Sequence, residues 1–375
     1  MSIQAFLNKM KTIHENLLDF IDNKEFTEEN LEHLLNILDE SHISSNHQDF
    51  LLLLRMISNI SKYHNRGHDF FKKIDSILKK CENEIKDYPN WQIFNVFKSS
   101  KRILLFLLKE EILKMDDYIA KKIMTTDKFI QAHYPQYFCK ELKPFMNEKW
   151  LHQIEDKEWV KELNKELPND FEEKRERGEN DSYICKLIQE DLVDEFIAHV
   201  NMENCSLDSI INASIYETNN FLLKKQNISM IEYAAFFGSI QIFQYLRLNK
   251  ATLGDSLYSY AFQSNNQEMI LLLEETYTNY IIPYEAFQHY VKSIASHHND
   301  IATYIQNKYL DNMQIESCQI FCSLKYHNFG FVQQNFINQK SFCYLCKYDY
   351  YTLVDILLKD FNVDVNDKII YYFYY

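Results

Sequence analysis

The sequence predicts an all-α protein, and three observations carry that expectation. Apolar residues recur at helical spacing almost throughout, alternating strand patterns are nearly absent, and turn-forming residues are scarce. Leu31, Leu34, Leu35 and Leu38 form one helical stripe, and Phe70, Phe71, Ile74, Ile77 and Leu78 form another. Five glycines and five prolines in 375 residues leave little material for tight turns, β-sandwiches or glycine-rich loops. A 45.2 kDa chain with 46% hydrophobic residues is globular and too long for one small domain, so it implies two domains or a long repeat array.

Taken in order, Thr27 followed by Glu28 and Glu29 reads as an N-cap with acids in the first turn, where they meet the positive end of the helix dipole. Stretches 51–77 and 94–108 each read as helix, turn, helix, with breaks at 64–67 and 88–90. Between Asn164 and Asp181, 11 of 18 residues are charged, and Pro168 and Gly178 punctuate the run. That composition predicts a solvated connector with little to bury. The expected domains are therefore a helical domain over 1–165, as a bundle or irregular solenoid, a charged connector over 166–181, and a repeat array over 182–375.

Internal repetition carries the array. Tyr233–Leu246 matches Tyr260–Leu273 at a spacing of 27, each as a short helix, a turn and a second apolar helix. Ala234 and Ala261 permit close helix approach, while Gly238 and Asn265 fall where a left-handed turn residue is needed. His297 occupies the same turn position, so His297 and His298 are expected in a solvated turn. Apolar second helices recur at 301–305 and 353–358, and 182–197 and 328–336 look like weaker copies.

These residues resemble ankyrin repeats. The stretch from Ser229 to Gly238 is similar to the first part of that repeat, and 353–366, ending Val363, Asp364, Val365, Asn366, is similar to the last. The phrases at 171–175, 178–185 and 231–240 more closely resemble the expanded protozoan ankyrin-repeat proteins of trichomonad type, in which a helical domain precedes the array. The resemblance implies a divergent ankyrin-type α-solenoid behind a helical N-terminal domain. The spacing of 27 falls short of the usual ~33, which implies shortened β-turn fingers. Contacts would then come from the concave helical face, through Phe236, Gln263 and Ser264, and from loop tips at Lys250, Thr252 and Asp255.

Composition narrows function. Forty basic against 54 acidic residues give a net charge of -14, which disfavours nucleic acid and anionic membrane surfaces and favours a protein partner with a basic segment. The opening residues lack a signal-peptide core and no apolar run is long enough to span a bilayer, so a soluble, cytoplasmic protein without membrane insertion is expected. Eight cysteines read as reduced thiols in helix packing. The five glycines form no Walker loop or nucleophile elbow, and Asp116, Asp117, Glu172 and Glu173 read as helix-end charges rather than catalytic pairs.

One metal alternative remains open: Cys318 with Cys322, and Cys343 with Cys346, have spacings that zinc could use, with His327 between them. Helical packing is the competing interpretation of the same thiols. His64 and His68 lack the glutamate of a zinc-protease motif and read as a polar interhelical loop. The terminal aromatic run 371–375 reads as a capping helix or an exposed tail. The expectation is a non-enzymatic interaction scaffold without cofactor. Its rivals are a zinc-stapled module, a cryptic enzyme, or an adaptor whose N-terminal half recruits other machinery.

Overall fold

A computed structural model describes residues 1–67, 69–146, 159–160, 166–225, 227–276, 281–311 and 313–360. The protein is all-α, with 68% helix among the described residues. Among the described residues there is no strand, only an isolated antiparallel bridge between Ile210 and Ser229. No described helix is long and apolar enough to cross a membrane. The regions 363–366 and 371–375, and His68, lie outside the described residues.

Local rules explain the helices. Thr27 caps Glu28–Glu40 by accepting the Asn30 amide at 3.2 Å, with Glu28 and Glu29 in the first turn and Leu31, Leu34 and Leu38 buried. Asp116 does the same for Asp117–Thr125, its Oδ1 accepting the Ile119 amide at 2.9 Å. The stripe Ile74, Ile77 and Leu78 of Phe70–Lys80 is fully buried.

Two compact units form. One comprises 1–60, 66–77 and 279–375, and the other 61–65 and 78–278. The first therefore joins the start of the chain to its last quarter, a grouping that differs from the linear order 1–165, 166–181, 182–375. Its internal ties are specific. Asp49, 1% exposed, takes Lys9 Nζ at 2.6 Å and the Thr352 hydroxyl at 2.5 Å, and Arg55 pairs with Asp349.

Helix hairpins recur within each unit. In the second, Tyr183–Gln189 precedes Val193–Met202, Met230–Phe237 precedes Ile240–Leu248, and Leu257–Ala261 precedes Gln267–Thr276. Their leading helices pack on one another in sequence. In the first unit, Pro283–Ala295 pairs with Asn299–Tyr309, Glu316–Tyr326 packs on Pro283–Ala295, and Phe342–Lys347 packs on Glu316–Tyr326 and pairs with Tyr351–Asp360.

Each leading helix is followed, within four residues of its end, by a residue with positive φ: Asp191, Gly238, Asn265, His297, His327 and Asp349. Five of the six are Asn, Asp or His, side chains that tolerate the left-handed region. Except at Asn266, whose amide goes to the Ser264 hydroxyl, the next residue closes the turn in the Schellman manner. Its amide donates backwards in Leu192 to Leu187 O, Ser239 to Ala234 O and His298 to Ser293 O, each at 3.0 Å, and in Asn328 to Ser323 O at 2.9 Å.

That same residue also ties a hairpin to the one before it. The Ser239 hydroxyl donates to Ile188 O, Asn266 Nδ2 to Gly238 O at 3.2 Å, Asn328 Nδ2 to Ile294 O at 2.9 Å, and the Tyr350 hydroxyl to Leu324 O at 3.0 Å. A Cβ on Gly238 would lie 2.7 Å from Asn266 Nδ2, so glycine is required there for space as well as for its φ of +69°.

The charged stretch is not a solvated connector. Phe171–Arg177 is a helix, and Phe171 and Arg175 are buried. Arg175 donates to both oxygens of Glu141 (3.0 and 2.8 Å), both oxygens of Glu172 (2.8 and 2.7 Å) and the Tyr137 carbonyl (2.9 Å). Its guanidinium also lies 4.8 Å from the centre of the Phe171 ring. The bidentate pairing satisfies the charge, so the residue tolerates removal from water.

Candidate functional site

The residues expected on a concave surface are covered. Phe236, Gln263 and Ser264 are each 2% exposed. Phe221 explains the first: its ring stacks on Phe236 at 5.5 Å with 7° between planes and meets Tyr260 edge-on at 5.2 Å. Ser264 is held by its own turn, its hydroxyl donating to Ala261 O at 2.7 Å and accepting the Asn266 amide at 3.1 Å, while Asn65 Nδ2 donates to its carbonyl. The chain's own segments fill the face that the ankyrin resemblance assigned to a partner.

The loop tips are where the sequence places them. Lys250, Thr252 and Asp255 are exposed, and Lys250 takes a φ of +66° at the end of Ile240–Leu248. The loop leaving Val193–Met202 lies beside them, because the Thr252 amide donates to Asp208 Oδ1 at 2.7 Å. Each loop starts from a bare apolar side chain, Met202 at 74% and Leu248 at 72% exposed. The helices that carry them, Val193–Met202 and Ile240–Leu248, pack together. Glu203, Asp208 and Asp255 put acid on this edge and Lys250 supplies one cation. Sequence reasoning missed Met202, Leu248 and Asp208, although two apolar residues ending outer helices just before polar loops were a usable signal.

A cleft of about 340 Å³ opens in the same unit, lined among others by His133, Asn180, Asn212, Glu217, Lys225 and Tyr233. Several of its polar groups hold the surrounding backbone. Glu217 Oε1 accepts the amides of Thr218 and Asn219 at 2.8 and 2.6 Å, and Asn180 Nδ2 donates to Asn212 O at 2.8 Å. Burial pushes the Tyr233 phenol well above its ordinary range, and its oxygen accepts from Gln189 Nε2 at 2.9 Å. A phenol so placed stays protonated at neutral pH.

Of the cysteine candidates only Cys322 is buried, Cys318 and Cys343 are partly exposed and Cys346 is exposed, while the histidine candidates sit at turns. Among the described residues no three His, Cys, Asp or Glu side chains gather as a metal site would require, so Cys318, Cys322, Cys343 and Cys346 do not converge with His327. His327 instead ends Glu316–Tyr326 with a φ of 56°, its Nδ1 3.0 Å from Asn59 Nδ2 and its ring stacked on Tyr350 at 5.2 Å. His64 lies just past His47–Tyr63, in the interhelical segment where the sequence places it, but is buried there at 1% exposed. His297 and His298 are 2% and 1% exposed, which corrects the solvated-turn expectation; His14 Nε2 covers His297 Nδ1 at 2.7 Å.

Glu172 is a helix-end charge in the first turn of Phe171–Arg177, as expected, and more. Partial burial raises its carboxyl, but hydrogen bonds from Lys140, Arg175 and Lys109 outweigh that and hold the group at about 2. No protein-family model, no curated protein and no solved structure matches this chain.

Proposed function

We propose that this protein is a non-enzymatic interaction scaffold built on a divergent ankyrin-type array, and that it engages its partner at the loop edge rather than the concave face. The observation that carries the proposal is the joined pair of loops. Thr252 ties to Asp208, Lys250, Thr252 and Asp255 stand in solvent, and Met202 and Leu248 are exposed at the loop origins. Two large apolar side chains rimmed by polar groups suit protein docking, in which apolar anchors supply energy and the charged rim supplies orientation. The repeated turn-to-turn hydrogen bond supports the array reading, because it fixes successive hairpins in one register.

The net charge of -14 favours a partner segment rich in Lys and Arg. The test is quantitative affinity capture with the full chain, comparing wild type with Met202→Asp/Leu248→Asp and with Lys250→Ala/Thr252→Ala/Asp255→Ala. All positions are exposed, so melting should shift little. The proposal expects one set of captured proteins to be lost from both variants. Undiminished capture by both variants would refute it.

A further inference from the structure

Cys318 and Cys322 lie one turn apart on Glu316–Tyr326, and their sulfurs are 3.6 Å apart. Cys322 is buried, whereas Cys318 is partly exposed. We infer that these two residues form a hydroperoxide-responsive dithiol in which Cys318 is the nucleophile and Cys322 the resolving thiol. This inference does not depend on the proposed scaffold role.

Helix geometry permits the link. Residues four apart in an α-helix have Cα atoms about 6.2 Å apart, inside the range of roughly 4.4–6.8 Å that disulfides span. Their Cβ atoms normally sit about 5–6 Å apart, against about 3.8 Å in a disulfide, so closure draws the turn together by about 1–2 Å. A bond formed under that tension is readily reduced, as a reversible switch requires.

The surroundings divide the two roles. A hydrogen bond from Cys322 lowers the Cys318 pKa, burial opposes it, and the Lys325 ammonium adds to the lowering. Cys322 is moved the other way, first by the hydrogen bond it makes to Cys318 and then by burial. The thiolate therefore forms on the more accessible sulfur, which is the condition for selective oxidation.

In the first step the Cys318 thiolate attacks the terminal oxygen of a hydroperoxide. An S–O bond forms, the O–O bond breaks, and the departing oxyanion takes a proton, leaving a sulfenic acid. Cys322 then gives up its proton and attacks the Cys318 sulfur. The S–S bond forms, the S–O bond breaks, and hydroxide leaves as water. Two electrons pass from the two thiols to the peroxide, which yields one alcohol, or water from hydrogen peroxide, and one water. Cys343 and Cys346, three apart on Phe342–Lys347, provide an internal comparison.

The test treats the native full chain with hydrogen peroxide, alkylates it, and maps the linkages by peptide mass. A Cys318–Cys322 disulfide reversed by dithiothreitol is expected, with Cys343 and Cys346 still alkylated. Cys322→Ser should accumulate a sulfenic acid at Cys318, trapped by dimedone. Cys318→Ser should slow oxidation of Cys322 by about tenfold or more. In urea the selectivity should vanish, which ties it to the fold. Equal oxidation of Cys322 in Cys318→Ser, a linkage to another cysteine, or preferential oxidation of Cys343 and Cys346 would each overturn the inference.

Discussion

Replacing Asn328 with alanine probes the tie between neighbouring hairpins most cleanly. Asn328 is fully buried; its amide donates to Ile294 O at 2.9 Å and Asn299 Oδ1 at 2.8 Å, and its Oδ1 accepts the Gly330 amide at 3.2 Å. Three neutral hydrogen bonds contribute about 1 kcal/mol each, giving an upper figure near ~3 kcal/mol. Ile294 O keeps a second donor, the His297 amide at 3.2 Å, so it is not orphaned when the Asn328 amide goes. The expected loss is therefore about 2–3 kcal/mol, or about 1 M in urea midpoint for a slope near 2 kcal/mol/M.

Hydrogen exchange provides the local readout. Amides of Pro283–Ala295 and Glu316–Tyr326 should exchange faster in Asn328→Ala, because the variant loosens the contact between these two helices. Asn328→Asp keeps the Gly330 acceptor but turns a carboxylate toward two oxygens, so it should be no more stable than Asn328→Ala. A loss below about 0.5 kcal/mol is typical of a surface substitution, and would refute the idea that the turn residue holds the hairpins in register.

Three further outcomes are expected. Arg175→Met removes the cation shared by Glu141 and Glu172 and should cost about 3 kcal/mol, the low end for a broken buried pair, since the Glu172 side chain is 38% exposed and partly screened. Glu172 sits near 2, below its ordinary 4.5, so its stabilisation is full above about pH 4.5 and fades as pH falls toward 2. Melting curves across that window should decline less steeply for Arg175→Met than for wild type. Gly238→Ala forces a side chain into a left-handed turn and against Asn266, and should lower stability by about 1–2 kcal/mol in chemical denaturation.

The helical class was legible because it rests on periodicity, which burial enforces along the whole chain. The turns were legible in part. Gly238 and Asn265 take the left-handed backbone assigned to them, with φ of 69° and 53°, and His297, expected only in a turn, takes it too at 61°. Asp191, His327 and Asp349 do the same although no single residue type marks the position, since what repeats is a backbone conformation that Asn, Asp and His all tolerate. The tie between hairpins is equally hidden, because serine, asparagine and tyrosine each supply the same donation to a preceding carbonyl.

Burial by distant segments was not legible at all. Phe236 has the right residue type for a contact surface, yet Phe221 from a separate short helix lies flat on it. His297 reads as a turn residue and is one, but His14 from the helix Ile3–Asp22 closes over it. Charge density misled in the stretch around Arg175, where bidentate carboxylates and aromatic faces make burial of a guanidinium tolerable. Lys250, Thr252 and Asp255 survived as exposed candidates because they follow an outer helix into a polar loop.

The proposed loop edge is tested most directly by measuring the affinity of a captured partner for wild type and for Met202→Asp/Leu248→Asp across ionic strength. Contact through the acidic, apolar-anchored edge predicts affinity that falls as salt rises for wild type, and a loss of at least about 2 kcal/mol in the variant with melting unchanged. Affinity that is equal in the two proteins and indifferent to salt would place the partner elsewhere on the molecule and contradict the proposal.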